Sequence, residues 1–232
     1  MLRLLLTVAF ALWLTGCGSI RAAKLHAPGW FGFEEVAPNI YVDTPMPPVQ
    51  QKQRVASVAT AKQRVAAFFG SALSQPEVFA CSTEPCYRSF GGTSDKGRAY
   101  GGSMLLLSPR GLDPVIAAHE LTHIELRHRI GMLRSWRALP SWFDEGLAVL
   151  VSDDPRYTED GWLAATDGGQ NAPALSEIGK SVALGGDWQT GYGTARHAVG
   201  RWYANAGRAG LLDLIAALRS GASFESALPP IR

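Results

Sequence analysis

The stretch HELTHIELRH, from His119 to His128, sets three histidines and two glutamates in ten residues. On a helix, His119 and His123 stand on one face a single turn apart, so both rings can reach one ion. Glu120 then lies beside that ion without having to ligate it. His128 follows His123 by five residues, and five steps of about 100° turn it roughly 140° off the ligand face. A catalytic zinc usually takes three protein donors and keeps one position for water. The third donor has to come from a separate element. Glu145, in WFDEGLAVL, lies twenty-two residues beyond His123, far enough for the chain to fold back. Because a five-residue H-E-x-x-H match is short, its surroundings decide its meaning.

Those surroundings are well punctuated. Asp113 is placed to cap a helix that has Pro114 at its first position and Gly131 just past a basic last turn. A second helix is signalled by Pro140 and Ser141, ahead of the Glu145 segment. Upstream, the spacing of Val55, Val58, Val65, Phe68 and Phe69 predicts an amphipathic helix over Val49 to Phe69, stopped by Gly70. NIYVD, PEVFAC, CYRSF and GRAYGGSMLLLS read as strands divided by turns, and GGSMLLLS is the strand expected to offer an open edge to an extended substrate. Asp153 to Pro173 is polar and turn-rich, suited to the border of a cleft. Helices are expected again in YGTARHAVGRWYANAG and AGLLDLIAALRSG, each ending at glycine, with a short one in SFESAL. This order predicts an α+β fold: a small N-terminal mixed sheet with an edge strand over the histidine helix, followed by a helical C-terminal part.

With 47% hydrophobic and 18% charged residues, the 232-residue chain has the composition of a packed globular protein. Its 22 lysines and arginines nearly balance 20 acids, and no basic cluster interleaved with aromatics forms a nucleic-acid groove, which argues against a nucleic-acid partner. The chain opens with an early arginine and an apolar run from Leu4 to Leu14, too short to span a bilayer and laid out as a secretory signal. At its end, LTGC resembles the lipobox of bacterial lipoproteins, which implies cleavage after residue 16 and a lipid on Cys17. An ordinary cleaved signal with an incidental cysteine is the alternative. Gly18 stands where that pattern places aspartate for inner-membrane retention, so an outer-membrane anchor facing the periplasm is expected. The expected organisation is signal peptide 1–16, lipid-anchored tether 17–48 and domain 49–232. Export favours a disulfide between Cys81 and Cys86; metal binding by this pair would lack both C-x-x-C spacing and a nearby histidine.

Together, HELTH and PSWFDEGLA (Pro140 to Ala148) resemble the gluzincin metallopeptidases, in particular the peptidase-MA-like family. The resemblance runs from about Tyr100 to Leu228, with two specific motif segments and a suggestive helical tail. It implies Zn2+ held by His119, His123 and Glu145, with Glu120 as general base in hydrolysis of a peptide or protein substrate of the cell envelope. Tyr192 matches a tyrosine that donates to the developing oxyanion in that family; a plain packing role is its alternative. Thermolysin-like members carry an aspartate four residues after the glutamate ligand to orient a histidine, whereas this chain has Val149 there. That support must come from elsewhere, and Asp144 and Thr122 are the candidates. A different class of reading is a non-catalytic lipoprotein that uses the same fold to bind an envelope protein.

The lipobox reading predicts that Cys17→Ala removes the acylation site. Intact-mass measurement is expected to show the lipid on the parent chain and its loss in the variant.

Overall fold

The computed structural model describes residues 21, 24–178 and 187–228. The expected signal peptide and Cys17 lie outside the described residues. Five strands form one mixed sheet in the order β1-β2-β3-β5-β4: β1 (Phe33–Ala37), β2 (Ile40–Asp43), β3 (Glu77–Ala80), β4 (Gly97–Tyr100) and β5 (Met104–Leu107). β1 and β2 form a hairpin turned at Asn39, whose φ is 60°. β2, β3 and β5 run parallel, and β4 returns antiparallel along β5. The helices are α1 (Pro48–Phe69), α2 (Glu84–Ser89), α3 (Pro114–Ile130), α4 (Met132–Ala138), α5 (Ser141–Ser152), α6 (Glu159–Ala165), α7 (Trp188–Ser220) and α8 (Phe224–Ala227). The α+β class expected from the sequence is the class observed.

Alternation along the inner strands divides the core. Val78, Ala80, Leu105 and Leu107 face the helices and pack with Val58, Val65 and Phe69 of α1 and Leu121 and Ile124 of α3. Phe79, Cys81, Met104 and Leu106 face the other side, covered by Leu25, Phe33, Tyr87 and Phe90. All four residues of β5 are buried, as a strand covered on both faces requires.

Three sequence expectations change. The Met104–Leu107 strand is interior, and of this pair it is β4 that lies at a sheet edge; Gly101, at φ 59°, lets the chain double back between them. CYRSF is part of α2 and not a strand: the Thr83 side chain caps the helix by accepting from Cys86 N, and a Cys81–Cys86 disulfide ties it to the end of β3. The segment read as tether supplies two strands, so the folded domain includes residues 33–43. Phe33 anchors that stretch through edge contacts to Phe79 and Phe90, with ring centroids 5.5 and 5.0 Å away.

The histidine helix is tied down at both ends of its inner face. Asp113 accepts from the N–H groups of Val115 and Ile116, at 2.8 and 3.1 Å. Near the other end, fully buried Glu125 accepts from Leu73 N and Ser74 N, both at 2.9 Å, from Ser74 Oγ at 2.6 Å and from Arg129 Nε at 2.6 Å. Burial alone would raise the Glu125 pKa, but these donors outweigh it and hold the carboxyl below its usual value. The stabilisation is therefore complete above the unfolded-state pKa of about 4.3 and fades as pH falls through the lower folded-state value. Glu125→Gln is expected to lose about 3 kcal/mol at pH 7, with the gap to the parent closing in acid. Urea unfolding at pH 7 and at acid pH measures both effects.

Candidate metal centre

α3 and α5 cross so that His119, His123 and Glu145 each aim one donor atom at a common point; these donors all lie within 4.8 Å of one another. The two Nε2 atoms are 3.2 Å apart, and Glu145 Oε2 lies 3.3 Å from His119 Nε2 and 3.6 Å from His123 Nε2. Donors about 2.0–2.1 Å from a tetrahedral ion stand about 3.3–3.4 Å apart, so this triangle has the dimensions of one face of such a site. Glu145 Oε2 is shielded from solvent and faces the two imidazoles without a well-aligned hydrogen bond to either, an arrangement that suits a shared cation. The group could hold a metal ion. Among the described residues it is the one such cluster.

Asp144 answers the question raised by Val149. One of its carboxylate oxygens lies 2.7 Å from His123 Nδ1. With Nδ1–H donated there, the neutral ring presents its Nε2 lone pair to the shared point. Thr122 does something else: its hydroxyl donates to the Ala118 carbonyl at 2.8 Å within the same helix. Burial opposes protonation of His123, but the charges of Asp144 and Glu145 overcome it and raise the ring's pKa well above its usual value. Glu145 shows the converse. Burial pushes its pKa up, and the two histidines pull it below the ordinary carboxylate range. The pocket is thus electronegative and suited to a cation.

Glu120 follows His119 on α3 and reaches the edge of the sheet. Its Oε2 accepts from the N–H of Ala99 on edge strand β4, at 3.0 Å. Gly97 permits that approach: a Cβ there would come within 2.9 Å of Ile116 Cγ2 and 3.1 Å of Glu120 Cγ. Tyr192, on the first turns of α7, sits with its ring centroid 6.3 Å from that of His119. Burial first, and then the Glu145 charge, raise the phenol's pKa and keep it protonated. His119, Glu120 and Tyr192 line a cleft of about 500 Å³ together with Lys96, Tyr157 and Trp188.

The stretch after α5 borders this cleft as expected, though with more order than its polarity suggests. A short helical turn, Pro155–Tyr157, is followed by α6, and Asp154 holds Arg156 through paired hydrogen bonds. Tyr157 was not singled out from the sequence. Its ring lies 5.6 Å from that of Tyr192, and no motif marks it, since only the fold brings it there. His197 points away, stacked on Trp162 at 3.8 Å and hydrogen-bonded to Glu159 at 2.7 Å. His128 is exposed on the last turn of α3 and takes no part in the donor group.

No protein-family model matches the chain, and no curated protein is significantly similar to it. The site is therefore read from its own geometry.

Two substitutions separate donor from supporter. Glu145→Ala is expected to abolish tight metal binding, Asp144→Asn to weaken it about 10- to 100-fold, and His128→Ala to leave it unchanged. Calorimetric zinc titration of the three variants checks this order.

Proposed function

We propose that the chain is a zinc-dependent metallopeptidase of the gluzincin type, cleaving peptide bonds in the bacterial cell envelope and anchored there through a lipid on Cys17. The observation that carries this reading is the three-donor triangle, one of whose members, His119, lines the same cleft as a further carboxylate outside the donor group, Glu120. Two imidazole nitrogens and one carboxylate oxygen form a donor set that suits zinc. When bound, zinc supplies Lewis acidity that polarises the scissile carbonyl and acidifies the attacking water.

The remaining chemistry belongs to the chain. Glu120 is steadied at Oε2 by Ala99 N–H, which leaves Oε1 free to take the proton of the attacking water. The same oxygen then returns a proton to the leaving amine. Tyr192, kept protonated, donates a hydrogen bond to the carbonyl oxygen as it gains charge.

Edge strand β4 supports an extended substrate. In an antiparallel pair, alternate residues turn both N–H and C=O away from the partner strand. Lys96 O accepts from Ser108 while Ala99 N–H turns out to Glu120, so Gly97 and Ala99 are the outward-facing residues. The C=O of Ala99 is then available to a peptide main chain beside the base, whereas Gly97 is buried.

Purified protein is expected to contain about one zinc per chain and to cleave a broad peptide library in a chelator-sensitive manner. Glu120→Gln should keep its metal and lose about a thousandfold in turnover, and Tyr192→Phe should lose about a hundredfold. Normal turnover in Glu120→Gln, or metal-free protein with full activity, would overturn the assignment.

A further inference from the structure

Helix α4 follows the histidine helix directly and is covered by almost nothing. Ser135 is its one buried residue, whereas Met132, Leu133 and Trp136 are 44%, 62% and 63% exposed. At about 100° per residue, the exposed arc has an order: Met132, Trp136 and Leu133 occupy one side, and Arg137 and Arg134 continue it on the other. From Leu126 to Phe143 the sequence contains four arginines and no acid, although the chain as a whole carries a net charge of only +2. Arg127 donates to the Gly101 carbonyl and Arg129 pairs with Glu125. Among the described residues, Arg134 and Arg137 have no ion-pair partner.

We propose that α4 is a membrane-contact element that seats Met132, Leu133 and Trp136 in the interface of an anionic phospholipid bilayer, with Arg134 and Arg137 on its phosphates. Apolar side chains beside basic ones, with an indole among them, match the two layers of a bilayer surface: acyl boundary and headgroups. Arginine stems can lie along the apolar layer while the guanidinium reaches the phosphate. The absence of any acid on the arc fits a negatively charged surface and leaves nothing to pair with arginines from a second copy. Aliphatic Met132 and Leu133 give no platform for stacking bases, so a nucleic acid fits less well. No described helix is long and apolar enough to cross a membrane, so the contact lies in the interface.

The contact would also set the height of the cleft. α3 rises about 1.5 Å per residue, so the cleft wall at Ile116 stands roughly 20 Å from α4. A bilayer under α4 would hold the cleft above the headgroups and open to protein segments standing off the membrane.

The test uses the full-length chain with Cys17→Ala, so that an introduced thiol is the one free cysteine beside the Cys81–Cys86 disulfide. An environment-sensitive dye is placed on Leu133→Cys or, as control, on exposed Gln53→Cys of α1. Vesicles of phosphatidylethanolamine with phosphatidylglycerol are expected to shift the dye emission to the blue at position 133 and not at position 53. Arg134→Glu with Arg137→Glu should weaken the vesicle response by about fivefold or more per arginine, without changing the melting temperature. The proposal is overturned if both positions respond alike, or if position 133 responds equally to vesicles lacking phosphatidylglycerol. It is equally overturned by a dye already shielded before vesicles are added. Shielding that grows with protein concentration would assign the face to a second copy, and constant shielding would assign it to a terminus of the same chain.

Discussion

The crossing of α3 and α5 is the constraint on which the site depends. It brings a carboxylate to two imidazole nitrogens in a place largely closed to water, with donor atoms 3.2 to 3.6 Å apart. Taking these groups out of water carries a desolvation cost, so something else has to fix the helices. Here the fixing is done by apolar contact: Leu121 and Ile124 of α3, Phe143 and Leu147 of α5, and Val199 and Trp202 of α7 belong to one core. The polar centre is carried by that packing and adds little to it. A site assembled in this way is pre-organised, which is what selective cation binding and catalysis both require.

The edge of the sheet is bound into the same construction. Ala99 N–H is an outward-facing group of a strand that would otherwise invite pairing with another chain. Satisfying it with Glu120 protects part of the edge and orients the carboxylate. One hydrogen bond thus joins the strand that would align a substrate to the group that would act on it.

Much of this was legible in the sequence because it is local. Helix spacing placed His119 and His123 together, and Asp113, Pro114 and Gly131 bounded their helix where the structure bounds it. Glu145 was readable because its helix has its own start signal. What escaped depended on distant packing. GRAYGGSMLLLS was read with its substrate-facing edge at the apolar MLLL half, whereas the strand order buries that half as β5 and leaves GRAY, as β4, outside. CYRSF has strand-like residues, but Thr83 caps a helix there. The Gly-rich stretch before residue 48 looked like linker because its few large residues, Phe33 among them, reveal their burial only against Phe79 and Phe90. Arg54 sits on a helix face that periodicity marks as apolar. It is buried, its pKa is lowered to about 10 by desolvation against the opposing pull of Asp113 and Asp43, and no pattern in the sequence announces it. The two helices expected on either side of Gly207 are present but joined end to end, with a break at that residue, where φ is 61° and ψ is −168°.

Gly146, next to Glu145, touches α7 so closely that a Cβ there would stand 2.4 Å from the carbonyl oxygen of Ala195. A clash with a side chain can be relieved by shortening the neighbour. A clash with a main-chain oxygen cannot, because every amino acid at position 195 carries that atom. Mutational drift is therefore closed at position 146 for as long as α5 and α7 keep their separation, and any history that alters one helix axis has to move the other with it. The segment that carries Glu145 and the one that carries Tyr192 would then diverge together or not at all.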